Sequence, residues 1–168
     1  MEKKTTLHPI PPVFDEKSRI LILGSFPSVK SRETGFFYGH PQNRFWKVLA
    51  RVFDDNVPED IPEKRDFLLR HQVAVWDVIA SCDIRGSSDA SITNVVVNDL
   101  SVILNKADIK AIYVNGAKAY KLYVRYMARQ TDVSCTKLPS TSPANAAWGL
   151  DRLYDSWKVI GEKQSVML

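Results

Sequence analysis

Residues 19–49 read RILILGSFPSVKSRETGFFYGHPQNRFWKVL. The stretch opens on an apolar run that stops dead at Gly24, which is how a buried strand hands its chain to a loop. It closes on a helical pattern, Arg44 to Phe53, where Phe45, Trp46, Leu49, Val52 and Phe53 share one broad face. Between them lies a loop with two further glycines, Gly35 and Gly39, two prolines, Pro27 and Pro41, and an aromatic triplet. An ordinary connection needs none of this chemistry, so the loop is expected to hold something.

The same rhythm continues outward. VAVWDVIA (73–80), AIYVN (111–115, then Gly116) and VSCTKLP (133–139, then STSP) are short apolar runs that end in turn-forming residues. Helical patterns separate them. Pro62 opens one, carrying Phe67 and Leu68, and Asn98 or Asp99 caps the next. Others cover 117–130 and about 145–158. Strands alternating with helices predict an α/β layer fold around a mainly parallel sheet. The 168 residues suit one domain spanning 1–168. In such sheets the ligand crevice lies beyond the carboxyl ends of the strands. That rule gathers Gly24–Ser28, Trp76–Asp77, Asn115–Gly116 and Ser140–Asn145 around one crevice.

Composition excludes several classes. No apolar run approaches the roughly 18 residues of a membrane helix, and the start, MEKKTTLHPIPPVF, lacks the apolar core of a secretory signal. A cytoplasmic protein without membrane contact is expected. Cys82 and Cys135 are too few for a disulfide framework, and His8, His40 and His71 are scattered. Neither set has metal-ligand spacing, so no metal or cofactor is expected. A net charge of +4 permits a polyanionic partner without demanding one.

Within the crevice, Gly24-Ser25-Phe26-Pro27-Ser28 matches neither GxGxxG, nor a phosphate-binding P-loop, nor the GxSxG elbow of hydrolases. A plain strand-to-loop turn remains open for it. Phe36, Phe37 and Tyr38 cannot all face the core of one regular element. Tyr38, beside Gly39, is the candidate for stacking on a base, and core packing is favoured for one of the two phenylalanines. Asn43 can cap the helix that follows, hold a water or read a base edge. His40 can donate to a base or pack beside Pro41. Asp77 is a reserve candidate for water activation, with a strand-end cap or salt bridge favoured. Ser140–Asn145 offers hydroxyls and the first amides of the following helix as a phosphate grip, or simply caps that helix.

Taken together, GSFPS, GFFYGHPQNRFW and LPSTSPAN resemble the two motifs and the intervening loop of the uracil-DNA glycosylase superfamily. The likeness is greatest to its DNA-deoxyinosine, or hypoxanthine-DNA, glycosylase branch. The GFFYGHPQNRFWKVL stretch is also similar to the mismatch-specific uracil and thymine enzymes. The resemblance implies a three-layer sandwich with a central four-stranded sheet flanked by helices. It implies that Gly24, Ser25, Phe26, Pro27, Tyr38, His40 and Asn115 meet the extruded nucleotide, and that Asn43 is catalytic. It further implies that Ser28, Ser140, Thr141, Ser142, Pro143, Ala144 and Asn145 meet DNA, with Ser140 and Ser142 on phosphate and the last three as a wedge.

One departure from the family pattern carries information. The third residue of the first motif is Asp in uracil enzymes and Asn in the mismatch branch, but here it is Phe26, which cannot polarise water. Ser140 also replaces the histidine of the second motif. Both departures point away from uracil and toward hypoxanthine. The expected activity is hydrolysis of the N-glycosidic bond of deoxyinosine by a monomer acting on DNA that contains deaminated bases. Uracil or xanthine excision and a non-catalytic DNA-binding module are the alternatives. A small-molecule nucleotide-binding domain fits the glycine pattern poorly.

Overall fold

The computed structural model describes residues 2–167; Met1 and Leu168, the ends of the expected domain, lie outside the described residues. Four parallel strands form the central sheet. They are β2 (Ile20–Gly24), β3 (Val73–Asp77), β6 (Ala111–Asn115) and β7 (Cys135–Leu138). Their spatial order is β3-β2-β6-β7. Every residue of β2 and β3 is buried. Continuous apolar runs of this kind mark strands covered on both faces. The sheet grows to one side of β2 with β3 and to the other with β6, so the chain reverses direction across it there. A crevice opens beyond Gly24 and Asn115 at that switch point.

Helices cover the sheet. They are α1 (Val29–Thr34), α2 (Phe45–Val52), α3 (Ile61–Arg70), α4 (Ser101–Leu104), α5 (Ala117–Leu122), α6 (Leu150–Trp157) and α7 (Val159–Met167). Asp60 caps α3 by accepting from Glu63 N–H, and a proline lies in its first turn. Asp99, not Asn98, serves α4, accepting from Ser101 N–H at 2.9 Å. The pattern over 117–130 is broken into α5, a π-helical turn over Tyr123–Met127 and a 3-10 turn over Ala128–Gln130. The apolar face of α2 packs against α6, with Phe45 edge-on to Trp157 at 6.0 Å. Trp157 Nε1–H donates to Pro139 O at 2.9 Å, which ties this core to the loop after β7.

Two expectations need correction. The run 73–80 is not one strand. It ends at Asp77, and β4 (Ile79–Ile84) departs into a second, antiparallel sheet of order β1-β4-β5, with β1 at Lys4–Leu7 and β5 at Thr93–Val97. The bend is held because Val78 N–H and Ile79 N–H donate to Gly24 O and Ser25 O. Asn98 Nδ2 also donates to the carbonyls of Asp77 and Ile79. The second correction concerns the last amphipathic helix. It begins at Leu150 rather than near Asn145, because the carbonyls of Thr141, Ser142, Asn145 and Trp148 all accept from the Arg44 guanidinium. Residues 142–149 therefore form a loop, and no helix N-terminus stands behind Ser140–Ser142.

Candidate active site

A cavity of about 400 Å³ lies at the crevice, within the usual size of a small-molecule site. Its wall includes Gly24, Ser25, Phe26, Pro27 and Ser28 from the first motif, with Tyr38, His40 and Asn43 from the long loop. Asp77, Asn115 and Ser140–Ala144 complete the sides expected from the strand ends. Ser31, Phe37, Ser87 and Asp89 line it as well. The two motifs, nearly the whole chain apart, thus face one another. Asn145 does not line the cavity. Its side chain turns inward, donating to Ser140 O at 3.0 Å, and braces the loop it was expected to extend.

Asn43 satisfies two of its candidate roles through one atom. Its Oδ1 accepts from Phe45 N–H at 3.0 Å, closing the start of α2, and from the Thr141 hydroxyl at 2.8 Å. Two donors on the oxygen fix the carboxamide's orientation, and the Nδ2 protons are left without a partner among the described residues. Thr141 differs from expectation. It is fully buried, not on the DNA side. Its hydroxyl joins Asn43 to Asn115 Nδ2 at 3.0 Å, and its N–H donates to Asn115 Oδ1 at 3.1 Å. A buried hydroxyl needs such partners, and here they bind the two halves of the site together.

Tyr38 carries a positive φ of 52°, a strained conformation for a bulky residue. Its carbonyl accepts from Trp46 Nε1–H at 3.2 Å, and the neighbouring Gly39 N–H donates to Ser31 Oγ at 2.9 Å. The strained turn is thereby pinned. One face of the ring stacks on Phe45 at 3.9 Å between centroids, which leaves the ring as a rigid shelf in the cavity wall. Phe36 and Phe37 are both buried, so the core takes two of the triplet. The Tyr38 hydroxyl is sealed from water and has no hydrogen-bond partner. Burial, and then the Asp77 charge, push its pKa well above the ordinary tyrosine range. Asn115 opposes that shift from nearby, without hydrogen-bonding geometry. Tyr38→Phe should therefore cost nothing. A sealed, unpaired hydroxyl is worth about 1–3 kcal/mol of penalty, so thermal denaturation should show equal or higher stability with base stacking preserved.

Gly24 is required by close approach. A methyl group there would stand 2.5 Å from Asp77 Oδ1 and 3.0 Å from Tyr38 Oη. Asp77 cannot retreat, since its other oxygen is held by His8 Nε2 at 2.7 Å. Gly24→Ala should distort the cavity floor and lower substrate turnover by about 10²-fold, as misplacement near 1 Å does. Steady-state kinetics on a folded variant would check this.

The remaining wall is mixed. Ser28 caps α1, accepting from Ser31 N–H at 3.1 Å. Ser140 Oγ and Ser142 Oγ accept from the N–H groups of Ser142 and Ala144, both at 3.1 Å, so each hydroxyl keeps its own proton to donate. His40 Nδ1 accepts from Gln42 N–H at 3.1 Å, which leaves Nε2 as its proton-bearing nitrogen. Phe26 is buried edge-on to His8 at 5.8 Å. Asp89 is an exposed residue whose carboxyl end tucks toward Ser25 Oγ at 3.4 Å; desolvation there pushes its pKa up. Among the described residues no cluster of histidine, cysteine or acidic side chains could hold a metal, and no helix is long and apolar enough to cross a membrane.

Sequence reasoning missed His8, Arg44 and Asp89. Arg44 had a signal, since it directly follows Asn43 and is too polar for the face it begins. His8 and Asp89 had none.

A three-layer α/β fold whose strand ends and two distant loops close one base-sized cavity defines a glycosylase-like scaffold. Residues 11–160 match the model of the uracil DNA glycosylase superfamily, and the chain belongs to that family. It is similar to a hypoxanthine DNA glycosylase of Methanosarcina acetivorans, 34% identical over 89% of this chain and 94% of that protein. A hypoxanthine DNA glycosylase of Methanosarcina barkeri is 32% identical over 80% of this chain and 85% of that one. A solution NMR structure from Methanosarcina acetivorans, assigned provisionally as a uracil DNA glycosylase, superposes with a TM-score of 0.80. It is 30% identical and covers 93% of this chain and 96% of its own.

Proposed function

We propose that the protein is a monofunctional DNA glycosylase that releases hypoxanthine from deoxyinosine and leaves an abasic site. It acts as a single-domain monomer, in the cytoplasm, on DNA carrying deaminated bases. The observation that carries this reading is the fixed carboxamide of Asn43, whose donors alone remain free inside a cavity that lacks the acidic residue of the first motif.

The target bond is buried in stacked duplex, so the nucleotide must rotate out, at a cost of a few kcal/mol that a weakly paired base reduces. The extruded base lies on the open face of Tyr38, whose other face is backed by Phe45. Ser140 and Ser142 donate their free hydroxyl protons to flanking phosphates, and Pro143 and Ala144 enter the gap left in the stack. Cleavage places positive charge on the sugar and negative charge on the purine. The gripped phosphates offset the first. Asn43 Nδ2–H offsets the second, donating to an acceptor of the departing base as its charge grows. Because Asn43 Oδ1 is already engaged by two donors, this residue serves the base rather than the water. The attacking water finds its acceptor at the Asp89 carboxyl, beside Ser25 at the cavity mouth.

The direct test is incubation of the protein with a duplex bearing one deoxyinosine, followed by chromatography of the small molecules. Free hypoxanthine and an alkali-labile site are expected. Tight binding without base release would leave a non-catalytic DNA-binding module instead.

A further inference from the structure

The cavity contains a buried carboxylate oxygen with no partner. Asp77 is 3% exposed and sits at the end of β3. Its Oδ2 is 2.7 Å from His8 Nε2, and both side chains are nearly sealed from solvent, at 4% and 5% exposure. His8 Nδ1 accepts from Ile10 N–H at 3.2 Å, so that nitrogen bears no proton and Nε2 must carry it. The imidazole thus donates to Oδ2, and Asp77 is an acceptor there. Its other oxygen, Oδ1, stands over Gly24 in the cavity wall with no hydrogen bond among the described residues. Burying such an acceptor unpaired is costly unless a ligand supplies the donor.

We infer that Asp77, positioned by His8, reads the ring N–H that deamination creates. Adenine and cytosine present a lone pair at the ring nitrogen next to the exocyclic group. Their deaminated products, hypoxanthine and uracil, present an N–H there beside a carbonyl. A fixed carboxylate accepts from that N–H and repels a lone pair, because an ionised carboxyl offers acceptors only. The wall also carries the free donors of Asn43, so it holds an acceptor and a donor for a lactam edge, which has one of each. The base reaches this wall when it lies on Tyr38. His8 acts through Asp77 and is a positioning residue. It precedes residues 11–160 that match the family model, and it arrives on the segment after β1, which pairs with β4.

This inference rests on the proposed glycosylase reading, and one experiment separates the two. Duplexes carry either deoxyinosine or deoxynebularine, a purine with a lone pair at N1 and no carbonyl, at the same position. Single-turnover rates are measured for the wild type, Asp77→Asn, His8→Phe and His8→Gln. The wild type should favour deoxyinosine. Asp77→Asn keeps its shape and still accepts from His8, but turns a donor toward N1. The preference should shrink by at least about tenfold, the worth of one mismatched polar pair. His8→Phe should erode the preference similarly, and His8→Gln, which keeps a donor, should restore part of it. Should the variants be too slow, binding of uncleavable 2′-fluoroarabino forms of both duplexes gives the same ratio. An unchanged ratio in Asp77→Asn, or equal loss on both substrates as a general base would give, overturns the inference while the glycosylase reading stands. A wild type that releases neither base removes both.

Discussion

Asn43→Asp is expected to keep the fold and lose the chemistry. The substituted carboxylate retains the oxygen that accepts from Phe45 N–H and the Thr141 hydroxyl, so the start of α2 and the bridge to the second motif survive. What disappears is the pair of amide protons that face the cavity. Removing one donor aimed at developing negative charge costs about 10²–10³ in turnover, and a carboxylate in its place repels the departing purine as well. Hypoxanthine release should therefore fall by about 10³-fold, with a melting temperature close to the wild type and DNA affinity changed little. Asn43→Ala should lose activity to a similar degree but also destabilise the protein by about 1 kcal/mol, the usual worth of a helix cap. Asn43→Asp retaining substantial activity would remove Asn43's amide from the reaction and shift attention to His40, the other proton-bearing side chain in the wall.

The second large effect is expected at Arg44, which touches no substrate. Its guanidinium donates to the carbonyls of Thr141, Ser142, Asn145 and Trp148, and its N–H donates to Thr141 O. A planar fork can serve several acceptors at once, and a lysine ammonium on a flexible stem cannot hold the same set. Arg44→Lys should leave carbonyls unpaired, at about 1–3 kcal/mol of stability. It should also loosen the 141–148 loop that carries the phosphate hydroxyls and the wedge. Activity (kcat/KM) should drop by about 10²-fold, with weaker DNA binding in a fluorescence anisotropy titration. Asn43→Asp should show the opposite balance, with turnover lost and binding kept. If Arg44→Lys binds DNA as tightly as the wild type, the loop does not depend on this clamp.

The central sheet and the crevice were legible in the sequence because both follow from local rules. Buried parallel strands read as apolar runs, and the residues that end them necessarily meet at one edge. Gly24, Asn115 and Ser140 could therefore be gathered without coordinates. The antiparallel sheet was illegible for the opposite reason. The β1 strand, KTTL, is polar and largely exposed, and its pairing partner lies more than seventy positions away. Thr141 was misjudged because a hydroxyl in a Ser-Thr-Ser run reads as surface, and only Asn43 and Asn115 make its burial affordable. The false start of the last helix has a similar cause: its periodicity is sound from Leu150, but a distant arginine claims the carbonyls of the preceding turn. His8 illustrates the limit most sharply. Nothing near it hints at a role, since its partner is 69 residues along the chain.

The Arg44 clamp has a consequence for how the molecule comes into being. Its side-chain acceptors lie 97 to 104 positions downstream, and closing so long a segment must precede any reward from it. The nascent polypeptide thus has no working pocket until Trp148 has left the ribosome. The amide of Thr141, held by Asn115, should then exchange its hydrogen only when the whole molecule opens.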